Sequence, residues 1–165
     1  MEDDIRYKID YPENQKDRVF AINLGHAVRI LASCPRRDLS VKDVVRGLWP
    51  AIQLGQITFL FNSKGVPVAY ATWMHVTEEV ASSLRNYPED TLDLSERNEG
   101  DLLWITDIVA PFGDVRALVK KMRQCVPHNG GIVRGYRWNG ARAARRLIEV
   151  SLGAPLKAVI ESASD

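Results

Sequence analysis

Several features that define common protein classes are missing from this chain of 165 residues. It has two cysteines, Cys34 and Cys125, too few for a disulfide framework and not in the Cys-x-x-Cys spacing of a structural metal site. No apolar run approaches the roughly 18 residues that a membrane-spanning helix needs, and the acidic residues 2–4 are unlike a signal peptide. We therefore expect a protein of the reducing cytoplasm without a bound metal.

The chain also lacks an excess of charge of one sign. Its net charge is +1, from 22 basic and 21 acidic residues, which argues against a general nucleic-acid binder. This balance hides two segments of opposite sign: residues 77–101 carry eight acids and two bases, whereas residues 115–146 carry nine bases and no acid. The basic segment is either a solvated helix face or a dock for an anionic group, such as a phosphate or an acidic protein surface.

Hydrophobic periodicity and turn residues predict a mixed α/β domain. Helices are predicted at 14–33, from 40 until Trp49-Pro50 interrupts, from 77, at 115–125 and from 139 to about 150; strands are predicted at 56–62, 66–76, 102–110 and 132–138. Phe20, Leu24, Ala27, Val28 and Leu31 are the predicted apolar stripe of the first helix. Strands that alternate with helices in the second half indicate an α/β or α+β sheet with helices on its faces.

Helix starts are predicted from capping residues. Ser40 with Asp43 forms a Ser-x-x-Asp capping signal for the second helix. Asp114 and Asn139 stand where they would cap the helices that follow them.

Asp107 is the first candidate for chemistry, because it interrupts an otherwise apolar strand, Leu-Leu-Trp-Ile-Thr-Asp-Ile-Val-Ala. A carboxylate in such a strand is costly unless it is paired or hydrogen-bonded, and burial would suit it to proton transfer or to orienting a base. The alternative is an aspartate that accepts hydrogen bonds for structural reasons alone. The residues themselves leave both interpretations open.

The strand, turn and helix over residues 102–125 form a second candidate. A helix N-terminus after a tight turn presents free N–H groups to an anion, which suits the phosphate arm of a carrier. The turn contains Phe112, Gly113 and Asp114, but its single glycine is a weak signal and the carboxylate of Asp114 repels phosphate. The alternative is a unit that binds nothing.

The remaining polar and aromatic candidates carry weaker signals. The three histidines are His26, which the helical wheel places on the polar side of the first helix, His75 and His128. No Ser–His–Asp or Cys–His arrangement is visible, and both cysteines are expected to be packed, inert thiols. The four tryptophans are expected in the core or as cleft lining.

Four segments of the sequence resemble the toxin-activating lysine acyltransferases, which attach fatty acyl chains to RTX protoxins. They cover roughly residues 20–125: Leu-Gly-His-Ala-Val at 24–28 with Ala-Ser-Cys-Pro at 32–35, Leu-Trp-Pro-Ala-Ile at 48–52, Pro-Val-Ala-Tyr-Ala-Thr-Trp at 67–73, and Gly-Asp-Leu-Leu-Trp-Ile-Thr-Asp-Ile-Val-Ala-Pro-Phe-Gly-Asp at 100–114. The last run is the most diagnostic.

This resemblance implies a GNAT-like fold in a single acyltransferase domain over residues 1–165, with residues 1–13 as a flexible lead. It implies transfer of a fatty acyl chain from acyl carrier protein, or acyl-CoA, to the side-chain amine of a lysine or ornithine in a toxin or precursor peptide. It also implies a possible homodimer and no metal or redox cofactor. The family's catalytic aspartate corresponds to Asp107.

The sequence departs from the family at the second catalytic position. The family has a histidine two or three residues after a Ser-Pro pair, and this chain has Arg36 and Arg37 there. Arginine is always protonated and cannot act as the base. Asp107 or His26 then serves as the base, or proximity alone suffices, or the protein is a non-catalytic relative.

Donor binding is assigned to six residues by the same reasoning. Arg36 would grip a carrier phosphate, and the turn and the basic helix after it would hold the rest of the carrier. These expected donor-binding residues are Arg36, Phe112, Gly113, Asp114, Arg116 and Lys120.

Two other functions remain as alternatives. One is a GNAT-like module that binds an acyl carrier or precursor without turnover, which the missing histidine favours. The other is a small-molecule N-acetyltransferase that uses acetyl-CoA, although residues 110–116 contain only one glycine of a pyrophosphate-binding loop. Acyl transfer and tight acetyl-CoA binding separate the three functions.

Overall fold

The computed structural model describes residues 14–34, 40–86, 92–126, 132–138 and 145–151. Along these residues the elements are α1 (Gln15–Leu31), α2 (Val41–Gln53), β1 (Ile57–Phe61), β2 (Pro67–Val76), α3 (Glu78–Asn86), β3 (Leu102–Val109), α4 (Val115–Cys125), β4 (Ile132–Trp138) and β5 (Arg145–Ser151). The predicted α/β (α+β) GNAT-like class, a central mixed sheet flanked by helices, is confirmed. The expectation about residues 1–13 lies outside the described residues.

The five strands form one sheet in the order β1-β2-β3-β4-β5. β1 and β2 form an antiparallel hairpin that turns at Gly65, which has a positive φ of 72°. β2 also pairs antiparallel with β3, which is the central strand of the sheet. β3 and β4 are parallel, and α4 makes the crossover that a parallel pair requires.

Alternate residues of β2 divide the helices between the two faces of the sheet. Tyr70 packs with α1 and α2, and Met74 and Val76 pack with α3 on the same face. Ala71 and Trp73 point the other way and pack with α4. Of the described helices, three therefore cover one face and one covers the other, which explains why β2 is buried along almost its whole length.

Both N-terminal helices begin at side-chain caps. The Asn14 side chain accepts a hydrogen bond from the Lys16 N–H, and the Ser40 Oγ accepts one from the Asp43 N–H at 3.1 Å. The predicted Ser40 capping signal is confirmed. Such a cap satisfies an N–H that the helix itself leaves without a partner, and removing one typically costs about 1 kcal/mol.

The apolar stripe of α1 was predicted correctly except at one edge. Ala27 and Leu31 are buried, as predicted, but Val28 is 45% exposed, and Ile30 takes the buried place instead. The stripe is rotated because α1 packs against β2 and α2 together, and the side chain of residue 30 lies over that junction.

The predicted break at Trp49-Pro50 is wrong, since α2 continues through Pro50 to Gln53. Proline removes one helical N–H donor, but the helix resumes at once: the Leu54 N–H donates to the Pro50 carbonyl at 3.0 Å. Burial of Leu48 and Ile52 on either side holds the helix together across the missing bond.

Two predictions about helix capping fail. Asp114 is the N-cap residue of α4, but its side chain makes no capping hydrogen bond. Its backbone (φ −81°, ψ 27°) lacks the extended conformation from which a side chain reaches the next N–H groups. The second failure is the helix predicted from Asn139 to about residue 150, because residues 145–151 are strand β5. Asn139 itself lies outside the described residues.

β5 forms because it pairs with β4 along its whole length, from Ile132 opposite Ser151 to Trp138 opposite Arg145. Its apolar residues at 147, 148 and 150 fit a helical and an extended period equally well over so short a segment. Pairing with β4 therefore decides that residues 145–151 form a strand and not a helix.

The segment 92–101 replaces β1 along the second half of β2. The His75 N–H donates to the Arg97 carbonyl at 2.9 Å, and the Gly100 N–H donates to the His75 carbonyl at 3.3 Å. The buried Gln56 side chain donates to Arg97 and to Asn98. Burial lowers the pKa of His75, and the Asp101 carboxylate opposes that shift.

Lys121 links α4 to the edge strand β1. Its Nζ donates to the Phe59 carbonyl at 2.6 Å and lies 5.7 Å from the centroid of the Phe61 ring. Phe59 itself packs on the face that α1 and α2 cover, whereas α4 packs on the opposite face. Lys121 therefore connects the two sides of the sheet around its edge and covers a strand edge that would otherwise be free to pair.

None of the described helices is long and apolar enough to cross a membrane.

We predict that Gly100→Ala destabilises the fold by more than about 2 kcal/mol, because a Cβ at this position would lie 1.9 Å from the Val76 carbonyl carbon and oxygen. Gly47→Ala is the matched control. It lies inside α2 with nothing within 4 Å of the added Cβ, and the change should stabilise the protein by about 0.5–1 kcal/mol. Urea unfolding of both variants checks the pair, and equal effects would contradict the close packing of segment 92–101 on β2.

We also predict that Lys121→Met lowers the free energy of unfolding by about 1–2 kcal/mol, since a charged donor to the Phe59 carbonyl is lost while the stem is kept. Lys120→Met, at the exposed neighbouring position, should change it by less than about 0.5 kcal/mol. Thermal unfolding of the two variants side by side tests whether the contact with β1 carries the difference.

Candidate active site

A β-bulge lies in the middle of the β2–β3 pair. Val109 is opposite Tyr70 and Asp107 is opposite Thr72, but the next pair is Trp73 with Ile105, so β3 has one extra residue at this point. Thr106 is that extra residue. Bulges of this kind bend a strand and redirect side chains, and they are frequent beside active sites.

The bulge brings four polar side chains together. The Tyr70 hydroxyl donates to Asp107 Oδ2 at 3.3 Å, and the Oγ1 atoms of Thr72 and Thr106 are hydrogen-bonded at 2.6 Å. Tyr70 and Thr72 are each 1% exposed. Asp107 does interrupt an apolar strand, as expected, but it is half-buried, so its side chain is partly exposed.

This polar group lies between two apolar clusters on the same face of the sheet. Tyr70 and Val109 belong to the cluster under α1 and α2, and Met74 and Trp104 belong to the cluster under α3. Asp107 lies between these clusters along β3.

On its other edge β3 separates from β4 just after the same point. The two strands pair only at Leu103–Ile105 with residues 133–135. Gly135 is needed at the last pair, because a Cβ there would lie 2.9 Å from the Ile105 carbonyl oxygen. Within the described residues, the pairing of β3 with β4 stops at this pair, and residues 106–109 of β3 continue past it.

The predicted turn follows this open edge directly. Gly113 has a positive φ of 92°, and its N–H donates to the Ala110 carbonyl at 3.2 Å. Three apolar side chains around the turn are exposed: Ile108 (37%), Phe112 (62%) and Val115 (44%). A cluster of exposed apolar side chains is typical of a binding surface.

The expected donor-binding residues of α4 are also at this end of the molecule. Arg116 and Lys120 are exposed and four residues apart, so they lie on one side of the helix, with Asp114 exposed at its start. Arg36 lies outside the described residues. The structure thus places five of the six predicted donor-binding residues along the turn and the first two turns of α4.

His26 is not on the polar side of α1, contrary to prediction. It is half-buried, and its ring packs edge-on against Phe59 (centroids 5.6 Å apart) and Phe61 (5.4 Å). The prediction failed because it measured the position of His26 from a stripe of Phe20, Leu24 and Leu31, whereas the buried side of α1 is rotated toward Ile30. Phe59 in turn packs on Tyr70, the residue that donates to Asp107, so a chain of two aromatic rings connects His26 to the carboxylate.

The other candidates lie apart from this site. Cys34 is buried, as predicted, and its Sγ donates to the Ile30 carbonyl at 3.5 Å, whereas Cys125 is exposed, contrary to prediction. Trp73 and Trp104 are in the core and Trp49 is 47% exposed. The described residues contain no group of three or more His, Cys, Asp or Glu side chains arranged to hold a metal ion.

Sequence reasoning missed Tyr70, Thr72 and Thr106. The two threonines left a signal, since each is a hydroxyl residue in an apolar strand, as Asp107 is a carboxylate in one. Nothing in the sequence indicated that β3 carries an extra residue at this point. That extra residue is what places Thr106 beside Thr72, next to Asp107.

Comparisons with known proteins agree on one family. The family model described as the RTX toxin acyltransferase family matches residues 16–151. The RTX-II toxin-activating lysine-acyltransferase of Actinobacillus pleuropneumoniae is 38% identical over 111 residues, 66% of this chain and 67% of that protein. The leukotoxin-activating lysine-acyltransferase of Aggregatibacter actinomycetemcomitans is 35% identical over 109 residues (64% and 62%).

A third relative extends the comparison to another bacterial genus. The protein-lysine myristoyltransferase of Escherichia coli is 35% identical over 105 residues, 63% of this chain and 61% of that protein. The matched segments thus span 61–67% of the length of these three relatives. The predicted acyltransferase family is confirmed by both kinds of match: the chain belongs to the RTX toxin acyltransferase family.

Proposed function

We propose that this chain transfers a fatty acyl chain from the thioester of an acyl carrier protein to the side-chain amine of a lysine, or ornithine, in a toxin or precursor peptide. The observation that carries this proposal is the position of Asp107. It lies at the bulge of β3, on the strand whose other edge opens away from β4. Family membership indicates the class of reaction, and the geometry around Asp107 is our reason for placing the reaction there.

The donor fits the open edge of β3. A phosphopantetheine arm carries amide groups, which in this proposal follow the backbone of β3 beyond Ile105, where its described pairing with β4 ends. The exposed apolar side chains Ile108 and Phe112 flank that edge and can contact the arm or the start of the acyl chain. Arg116 and Lys120 on the next helix can attract an acidic carrier.

The reaction requires a neutral amine at the thioester carbonyl. In our proposal Asp107 accepts a proton from the attacking nitrogen as the new C–N bond forms. The C–S bond then breaks, and the carrier thiol leaves with a proton. The products are an amide on the acceptor and a free carrier thiol, and no oxidant or reductant is needed. A base held within hydrogen-bond reach typically contributes about 10²–10⁴-fold to such a step.

His26 is the alternative base, and its surroundings argue for a secondary role. Its ring is held between two phenylalanine rings on the α1 side of β1. It can support the aromatic packing under Tyr70 without touching substrate. Asp107, between the clusters on the sheet, is the better placed of the two.

Three further features belong to the proposal. The free thiols of Cys34 and Cys125 fit the reducing cytoplasm. The acceptor is a protoxin, by analogy with the relatives named above, and a homodimer remains a prediction.

We predict that Asp107→Asn lowers the rate of acyl transfer at least about 100-fold, because it removes the proton acceptor and keeps the side chain's size. The measurement is intact mass spectrometry of an acceptor peptide or protoxin after incubation with carriers that bear C8–C18 chains. Asp17→Asn, an exposed aspartate in the first turn of α1, is the matched control and should keep the wild-type rate.

His26→Ala, measured in the same assay, decides between the two bases. A moderate loss of acyl transfer that accompanies a loss of thermal stability supports a packing role for His26. A loss as large as that of Asp107→Asn would transfer the role of base to His26. Carrier binding with no transfer to any acceptor would contradict the enzyme and favour the non-catalytic module.

We predict that reversing the two basic residues, Arg116→Glu with Lys120→Glu, raises the KM for an acyl carrier protein about tenfold and weakens its dependence on salt. The KM for acyl-CoA should change less, since this small donor lacks the carrier's acidic surface. The double variant Lys16→Glu with Lys42→Glu, exposed on α1 and α2, has the same change of charge and should leave both values unchanged. Equal effects of the two double variants would contradict docking on α4.

A further inference from the structure

We propose that Tyr70 is a positioning residue for acyl transfer: its buried hydroxyl fixes the carboxylate of Asp107 in the orientation that the reaction uses. The inference rests on the proposed role of Asp107. It assigns a function to a side chain that sequence reasoning did not single out. Tyr70 itself touches neither donor nor acceptor.

The ring of Tyr70 is held rigidly. It is 1% exposed and belongs to the apolar cluster under α1 and α2, with its ring centroid 6.2 Å from that of Phe59 at an interplanar angle of 56°. A phenol ring in such a core has little rotational freedom, so its hydroxyl is a donor at a fixed point. A buried hydroxyl also needs a partner, since leaving it without one is costly.

The strand register aims that donor at Asp107. Tyr70 is directly opposite Val109, and Asp107 is opposite Thr72, so the hydrogen bond runs diagonally between the strands. Diagonal neighbours lie within reach of a long aromatic side chain. The bulge at Thr106 and its 2.6 Å hydrogen bond to Thr72 hold Asp107 at that position.

Orientation matters because proton acceptance depends on the direction of a carboxylate oxygen as well as on its presence. An aspartate side chain can rotate about two bonds, and a fixed donor on one oxygen restricts that rotation. A supporting hydrogen bond of this kind holds a reacting group close to its productive geometry, and small misplacements lower the rate of the chemical step. In this proposal the Tyr70 hydroxyl takes no part in substrate binding.

The test is Tyr70→Phe, which keeps the ring and removes only the hydroxyl. We expect kcat for acyl transfer to fall about tenfold, the KM values for donor and acceptor to change less than twofold, and the midpoint of thermal unfolding to stay nearly unchanged. Tyr70→Leu, which removes the ring as well, should lower both kcat and thermal stability.

Thr58→Val is the matched control. It removes a nearly buried hydroxyl from β1, where Thr58 is opposite Ala71 and so on the α4 face of the sheet. It should leave kcat unchanged. A kcat loss in Thr58→Val equal to that in Tyr70→Phe would overturn the inference, as would a Tyr70→Phe variant with wild-type kcat or one whose loss lies in KM.

Measuring Asp107→Asn in the same assay distinguishes a failure of the inference about Tyr70 from a failure of the proposed function. If Asp107→Asn is inactive and Tyr70→Phe is fully active, the positioning role is wrong and the proposed function stands. If Asp107→Asn keeps wild-type activity, the proposed site is wrong and the inference about Tyr70 falls with it.

Discussion

One extra residue in β3 determines the arrangement of the candidate site. Without Thr106, Asp107 would still be opposite Thr72, but Thr72 would have no second hydroxyl beside it on β3. With it, Thr72 faces both Thr106 and Asp107, and a short hydrogen bond between the threonines holds the distortion in place. The apolar packing of Tyr70 then supplies a fixed donor to the carboxylate. The polar side chains of the candidate site thus lie beside a local irregularity in the pairing of two otherwise apolar strands.

On its other edge, β3 stops pairing with β4 next to the same bulge. β3 is antiparallel to β2 on one edge and parallel to β4 on the other, and the parallel pairing ends at Ile105, one residue before the bulge. The site for a carboxylate and the edge for an incoming donor are consequently adjacent along one strand. The turn at Gly113 and the basic start of α4 follow from it in sequence, so the proposed donor contacts come from a single stretch of chain, residues 106–120.

Much of this architecture is readable from the sequence where one local signal dominates. The cap at Ser40, the hairpin strands on either side of Gly65 and the strand around Asp107 are set by residues close together in the chain, and the structure confirms the elements predicted there. The resemblance to the lysine acyltransferases also marked the correct strand, because its most diagnostic run covers both the carboxylate and the turn.

The failures occur where distant parts of the chain decide. β5 is a strand because β4 lies beside it, α2 passes through Pro50 because its flanking residues are buried, and His26 faces β1 because α1 packs over two elements at once. The bulge belongs to the same group, since only the alignment of two strands shows that β3 has one residue too many. Sequence patterns describe one element at a time, and these features belong to pairs of elements.

The most direct test of the account is to locate the donor on the sheet. Backbone amide NMR spectra of the ¹⁵N-labelled chain would be recorded during titration with an acyl carrier protein whose thioester is replaced by a stable amide. The account predicts that the largest shifts fall on residues 106–116, with smaller ones at Tyr70 and Thr72. Shifts confined to the opposite edge, at β1 and the segment 92–101, would contradict the placement of acyl transfer at the bulge of β3.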